Sequence, residues 1–546
     1  MALVVLAERA EAQLTPPPPA VEGANDEVTR RIEKLERQNE LLMRQIELLK
    51  PHAGESDVST EAADGKTPPA KKDAAKDSAS GKEAEKVFEV GKQLEFKGMW
   101  RNGVYFETAD KAFKYQVGGT IQFDMGWFSA PYDVKNSIGV MNNYTNPGAA
   151  LSDGMDFRRA RLRFAGTAYE TVEFFAQYEF ANSIDLRRRT IGVTEPTKPS
   201  IYDSQPGEAV LFNEVFVGLT QIPVLGAVRA GHHREALNFI TGTADRNQVW
   251  LERGLLFDAF NGDYNFASGI TIDRTYFNDR AYSWLGFFEN NSRNFSQVGD
   301  GNYAYDVRLC ALPIWQEEEN ETWVHVGIDY SYRNLTQNQI RFRARPMVRV
   351  GTGFQVPSIV DTGTMFSRDG QQILNFEFAS AVGPWTFAAE ACRSWVPNVF
   401  TGSLPNANGT LPKGAAAVGN YYAEGMYVEL LRFITPDHRQ YRKERPGYDR
   451  VAPRENFFFV DSDNGPIWNR GAWEVGVRYD YLDLTNAGVN GGTAQAVTAA
   501  VNWYLNPNTR VQLNYFVMTR HFDAPETAPR INGAFSGLGI RFNMDF

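Results

Sequence analysis

Between Phe157 and Phe164 the chain reads F-R-R-A-R-L-R-F, which places Arg158, Arg159, Arg161 and Arg163 in one short stretch. A guanidinium stays protonated at any working pH, and its planar fork of donors grips an oxyanion through two hydrogen bonds at once. Leu162, Phe164 and Ala168 share one parity. In a β-strand this leaves Arg159, Arg161 and Arg163 on the opposite face, as a row about 7 Å apart. Arg158 has the apolar parity and would join them only near a strand end or at a bulge. Fixed positive charge along a narrow aqueous path selects for anions. Arginines that close ion pairs across a polar interior would give the same letters.

Two further basic groups could extend such a path. The segment 233–258 carries His233, Arg234, Arg246 and Arg253 and follows a strand, so it is the loop expected to fold inward and constrict the path. Arg187-Arg188-Arg189 lies in an earlier polar stretch and reads first as a solvated charge run, with a basic vestibule as the alternative. After residue 156 more than thirty arginines are accompanied only by Lys198, Lys413 and Lys443.

Other chemistries find little support. Asp461-Ser462-Asp463-Asn464-Gly465 begins like a calcium loop, but its twelfth position is Ala472, so a turn is expected. His232 and His233 are adjacent and would point to opposite faces of a strand, which is poor metal geometry. No Ser/His/Asp arrangement stands out. Cys310 and Cys392 are too few for a disulfide framework or a cysteine-based zinc site. No catalysis, cofactor or metal is expected.

The elements that must position these arginines are strands. From Trp473 to Tyr481 odd positions are apolar or aromatic and even ones small or charged. Val497 to Leu505 and Val511 to Val517 repeat the pattern around the turn Asn506-Pro507-Asn508-Thr509. The final residues G-L-G-I-R-F-N-M-D-F alternate up to Phe546 itself. Short turns at Leu219–Ala227, 381–384 and 506–509 alternate with long polar connections at 182–208, 233–258, 396–419 and 520–532. That is the asymmetry of an outer-membrane barrel, whose edges must close so that none faces lipid. At roughly 25–27 residues per strand and connection, the chain from residue 113 holds about 16 strands. Glu317-Glu318-Glu319 falls where a periplasmic turn is expected.

Composition agrees. The 546 residues are 13% aromatic, as girdles at two membrane interfaces would require, and no apolar run approaches the length of a membrane helix. Mean hydropathy is −0.40 and the pI is about 5.4, so general nucleic-acid affinity is not expected.

Ahead of the strands lie three zones. The first twelve residues resemble the tail of an export signal with Ala10-Glu11-Ala12 as its cleavage site, and a Pro-rich linker follows, so 1–26 is signal remnant and linker. Residues 27–50 hold a heptad seam, Val28, Ile32, Leu35, Asn39, Leu42, Ile46 and Leu49, with Ile32, Asn39 and Ile46 at a. Ile at a, Leu at d and a buried Asn favour a dimer, whereas R-I-E-K-L-E from Arg31 matches a short trimerisation motif, so the residues leave the oligomer open. Residues 51–94 are poor in aromatics and read as a disordered tether; the barrel is assigned to 95–546.

Several stretches resemble the phosphate-selective porin O and P family. They are Gly471–Val475 running into Tyr479–Leu484, Asn502–Asn508 with Asn514-Tyr515, Phe157–Leu162 before Gly166, Lys114–Gly119 ahead of Ile121–Asp124, and Leu251-Glu252-Arg253. The resemblance covers roughly 95–546 and implies a trimeric 16-stranded outer-membrane porin, which favours a trimeric coiled coil in the periplasm. It also implies an anion-site role for Arg158 and Arg159; the last strand, ending in Phe546, separately resembles the C-terminal signal read by the barrel assembly machinery. Thr120 stands where the family commonly has Arg. The expected function is a homotrimeric, water-filled channel in outer-membrane lipid that passes small hydrophilic solutes, with a preference for anions or phosphate. The rival is a structural anchor tied to the periplasm or cell wall by its coiled coil.

Overall fold

The computed structural model describes residues 95–181, 211–261, 266–289, 302–316, 322–351, 356–457, 460–462, 465–523 and 530–546. The export segment, the coiled-coil seam, the tether, Arg187-Arg188-Arg189 and Glu317-Glu318-Glu319 lie outside them.

Sixteen antiparallel strands form one closed wall. In chain order they are β1 (Lys114–Ser129), β2 (Gly154–Ala168), β3 (Val172–Glu179), β4 (Leu211–Ile222), β5 (Gly226–Arg234), β6 (Phe266–Tyr276), β7 (Ala281–Glu289) and β8 (Tyr303–Trp315). They continue as β9 (Thr322–Arg333), β10 (Gln371–Val382), β11 (Trp385–Thr401), β12 (Ala416–Phe433), β13 (Ala472–Asn486), β14 (Val489–Asn506), β15 (Thr509–His521) and β16 (Gly533–Asp545). β16 closes onto β1 from Ser536 opposite Ser129 to Asp545 opposite Thr120. A small hairpin, Phe96–Trp100 with Val104–Thr108, continues the sheet beyond the start of β1.

The wall is inverted relative to a protein in water. Arg541 and Asn543 on β16 are buried, while their neighbours Phe542 and Met544 are half exposed. Arg478, Asn502 and Gln512 face inward; Val477, Val497, Leu513 and Val517 face out. Period-two alternation with the apolar set outside suits a barrel solvated by lipid, with its polar residues in the lumen.

Phe546 is built into the seam. Its N–H donates to the Gly119 carbonyl (3.0 Å), and the Gly119 N–H donates to its carbonyl (2.6 Å). A Cβ on Gly119 would lie 2.5 Å from the Phe546 ring, so only glycine lets the ring lie against β1 here.

The rims follow the expected asymmetry with two exceptions. Connections 169–171, 223–225, 277–280, 383–384 and 507–508 share one rim and are short. Yet 434–471, at that same rim, is long and turns inward, with Arg439, Tyr441, Tyr448 and Val451 buried. At the opposite rim β13 and β14 are joined by Ala487-Gly488 alone, where a long loop would be expected. Positive φ at both residues makes this a tight hairpin. In the calcium-loop-like stretch, where a turn is expected, Val460–Ser462 pairs antiparallel with Gly465–Ile467.

Three segments fill the interior: 235–261, the described part of 334–370, and 434–457. The first crosses the lumen. Phe239 and Ile240 donate backbone N–H groups to Glu390 on β11, and Trp250 Nε1 donates to Glu429 on β12. Leu251 N–H donates to Asn514 on β15, and the Leu251 carbonyl accepts from Arg541 on β16.

Candidate anion chamber

The basic stretch lies on β2, and its register against β1 is broken at one point. Gln122 faces Arg159 and Phe123 faces Phe157, so Arg158 has no opposite number. An unpaired residue of this kind re-aims its side chain. Arg158 reaches the inward loop and forks onto Glu252, Nε to Oε1 at 2.7 Å and Nη2 to Oε2 at 3.1 Å. Arg159 donates from Nη1 to Gln122 Oε1 at 2.7 Å.

The loop returns a carboxylate into the middle of the row. Asp245 is approached by Arg159 Nε (3.4 Å), Arg234 Nη2 (2.9 Å), Arg161 and Arg253. Arg161 also holds Glu179 on β3 at 2.6 Å. Burial by itself would raise the Asp245 carboxyl, but the four guanidiniums overcome this and hold it well below the usual range. One buried carboxylate thus neutralises a quarter of the charge pointed at it and fixes the geometry of the rest.

Arg163 is different. It is buried, its Nε finds no hydrogen-bond partner, and no carboxylate pairs with it among the described residues. It borders a chamber of about 120 Å³ lined also by Thr120, Gln177, Glu214, Arg161, Arg234, Thr241, Asp245, Arg246, Arg442 and Arg445. Six arginines against two carboxylates leave a formal surplus of four positive charges around it. The space holds several waters, or an oxyanion with part of its hydration. Arg246 borders a second, tighter cleft of about 10 Å³ as well, shared with Arg439, Asp449, Arg450, Arg510 and Asp545, next to the rim turn Asn506–Thr509. Among the described residues, Arg246 is the one lining residue common to both spaces.

The structure therefore brings Arg158, Arg159, Arg161, Arg163, Arg234 and Arg253 into one neighbourhood, although Arg158, Arg159 and Arg253 serve carboxylates rather than line the chamber. His232 and His233 do point apart: His232 Nδ1 meets Ser268 and His233 Nε2 meets the Gly269 carbonyl. Sequence reasoning missed Arg442 and Arg445, because short turns were expected at the rim that supplies them. The dense basic run His438–Arg450 between two strands was the available signal. These two residues offset the charge that Thr120 lacks.

The geometry can now be set beside known proteins. Residues 132–546 match the family described as phosphate-selective porin O and P. The chain belongs to this family. Porin O of Pseudomonas aeruginosa is 23% identical over 429 residues, covering 76% of this chain and 85% of that one. A protein of Caulobacter vibrioides is 25% identical over 460 residues, covering 82% and 76%. Among solved structures, OmpF of Salmonella typhi aligns with a TM-score of 0.43 at 13% identity, over 82% of this chain and all of that one. The outer membrane channel DcaP of Acinetobacter baumannii aligns with a TM-score of 0.42 at 9% identity, over 81% and 99%. The porin is an outer-membrane channel for small solutes, which sets the anchor reading aside as its primary role.

Proposed function

We propose that the porin favours small anions, phosphate among them, and that Arg158, Arg159, Arg161, Arg163, Arg234 and Arg253 build that preference. The observation that carries the reading is the charge surplus of the chamber. Arg163 and Arg246 offer guanidinium donors to a passing oxyanion, while Asp245 and Glu252 hold the surrounding arginines in place. An anion entering exchanges part of its hydration for charge-assisted hydrogen bonds, and the chain of sites gives it a next position to move to. Arg187-Arg188-Arg189 would supply a vestibule above it.

The same reading has the porin assemble as a homotrimer, with 27–50 forming a trimeric coiled coil in the periplasm and Phe546 read by the barrel assembly machinery. The tether and coiled coil could reach the cell wall as a second duty. Support comes from the heptad seam, the family assignment and the terminal aromatic strand.

The test is a chloride current carried by single channels in a planar bilayer and titrated with phosphate. Phosphate should reduce the current saturably, and Arg163→Ala combined with Arg246→Ala should relieve that block at least tenfold. A chloride current indifferent to phosphate would leave a general porin.

A further inference from the structure

We propose that the wall opposite the chamber carries a binding site for a borderline divalent metal ion, Zn²⁺, made by Cys310, His325 and Glu377. The three residues sit on consecutive strands β8, β9 and β10 with their side chains on the lumenal face. Cys310 lies opposite Gly327, Gly327 lies opposite Glu377, and His325 is two residues along β9. One donor atom from each falls within 4.8 Å of the other two, and all three residues are buried.

Gly327 makes the convergence possible. A Cβ there would lie 2.8 Å from the Glu377 carboxyl carbon, so the absent side chain is the space across which the carboxylate leans towards Cys310. Thiolate, imidazole and carboxylate together form a donor set suited to zinc, and three protein ligands leave a fourth position open.

The surrounding groups are those a metal site needs. His325 Nε2 lies 2.8 Å from Glu377 Oε2, and its Nδ1 lies 2.9 Å from the Tyr441 hydroxyl. A metal taking the place of the proton between Nε2 and Oε2 leaves Nδ1–H to donate to Tyr441, which fixes the ring and its tautomer. Arg308 donates to the Glu377 oxygens at 2.8 and 2.7 Å and so orients the carboxylate from its other side. Charge closes as well. A divalent ion, the Cys310 thiolate and the Glu377 carboxylate sum to zero, and Arg308 is offset by Asp329 at 3.4 Å. Binding releases the thiol proton to solvent, while the single imidazole proton moves from Nε2 to Nδ1, where it is donated to Tyr441.

Neither cysteine forms a disulfide, and a free thiol is unusual in the oxidising compartment where an outer-membrane barrel folds. Metal ligation gives Cys310 a role there. The site would pin β8, β9 and β10 to the inward segment through Tyr441. It departs from the expectation of no metal, which rested on counting cysteines; residues 310, 325 and 377 have no motif spacing.

The experiment uses full-length protein refolded into detergent after unfolding in chelator, with Co²⁺ as the probe. One thiolate-to-cobalt charge-transfer band per chain, displaced by Zn²⁺, is expected. Cys310→Ser should abolish the band, Cys392→Ser should leave it, and Tyr441→Phe should weaken Co²⁺ binding about tenfold to a hundredfold. Absence of the band in the unmodified protein at millimolar Co²⁺, or its persistence in Cys310→Ser, overturns the site. Should Cys310→Ser fail to fold, the unmodified protein decides on its own, because a folded barrel without the band is sufficient to reject it.

Discussion

The two sides of the lumen use the same residue types to opposite ends. On the β2–β5 side arginines outnumber carboxylates and a chamber stays open. On the β8–β12 side Asp306, Asp329, Glu377, Glu390 and Glu429 outnumber Arg308 and Arg333, and all are buried against the inward segments. There the carboxylates serve as anchors. Glu390 accepts from the N–H groups of Phe239 and Ile240 and from the Tyr427 hydroxyl, and Glu429 accepts from Trp250 and Tyr448. The acidic wall holds the loop that presents Asp245 and Arg253 to the basic wall. Charge that has found its partners builds the scaffold; charge left over builds the path.

This contrast predicts that paired and unpaired arginines respond differently to removal. Arg541 is fully buried and forks onto Asp124 at 2.6 Å through both contacts. Arg541→Ala strands that carboxylate and should cost about 3–5 kcal/mol in a urea titration followed by tryptophan fluorescence. A cost near zero would break the distinction. Glu390→Ala orphans two loop N–H groups and should cost about 1–3 kcal/mol. Its single-channel trace should become noisier as the loop loosens; an unchanged trace would mean that Glu390 is not an anchor.

Arg163→Ala strands no carboxylate among the described residues and should destabilise far less than Arg541→Ala, while weakening phosphate block of the chloride current. A large loss of stability would show that Arg163 belongs to the scaffold. The smallest expected effect is that of mild acid. The depressed Asp245 carboxyl contributes stability that is complete above its unfolded value of about 3.9 and is lost only as pH falls below that. Between pH 7 and about 5, Asp245→Asn and the parent should therefore keep a constant difference in melting temperature.

The wall was legible in the sequence because lipid on one side and polar lumen on the other impose alternation on every strand, up to Phe542 and Met544. The closing strand and the lumenal face of Arg159, Arg161 and Arg163 follow from that period. What parity could not give was Arg158, whose direction depends on a bulge set by the partner strand. Nor could it give Asp245, Arg442 or Arg445, which lie in segments without period. Their places depend on contacts hundreds of residues away, as Trp250 with Glu429 illustrates. The connection 434–471 was hidden by the general shortness of turns at its rim, although its basic run stood in plain letters.

The central claim is that uncompensated arginines make this channel prefer anions. The most direct test is the reversal potential across a bilayer under a potassium chloride gradient, for the parent and for Arg163→Ala combined with Arg246→Ala. The account predicts an anion-selective parent and a marked shift towards zero in the variant, with both barrels equally stable. A parent that is unselective or prefers cations, or a variant with the parent's potential, would contradict it.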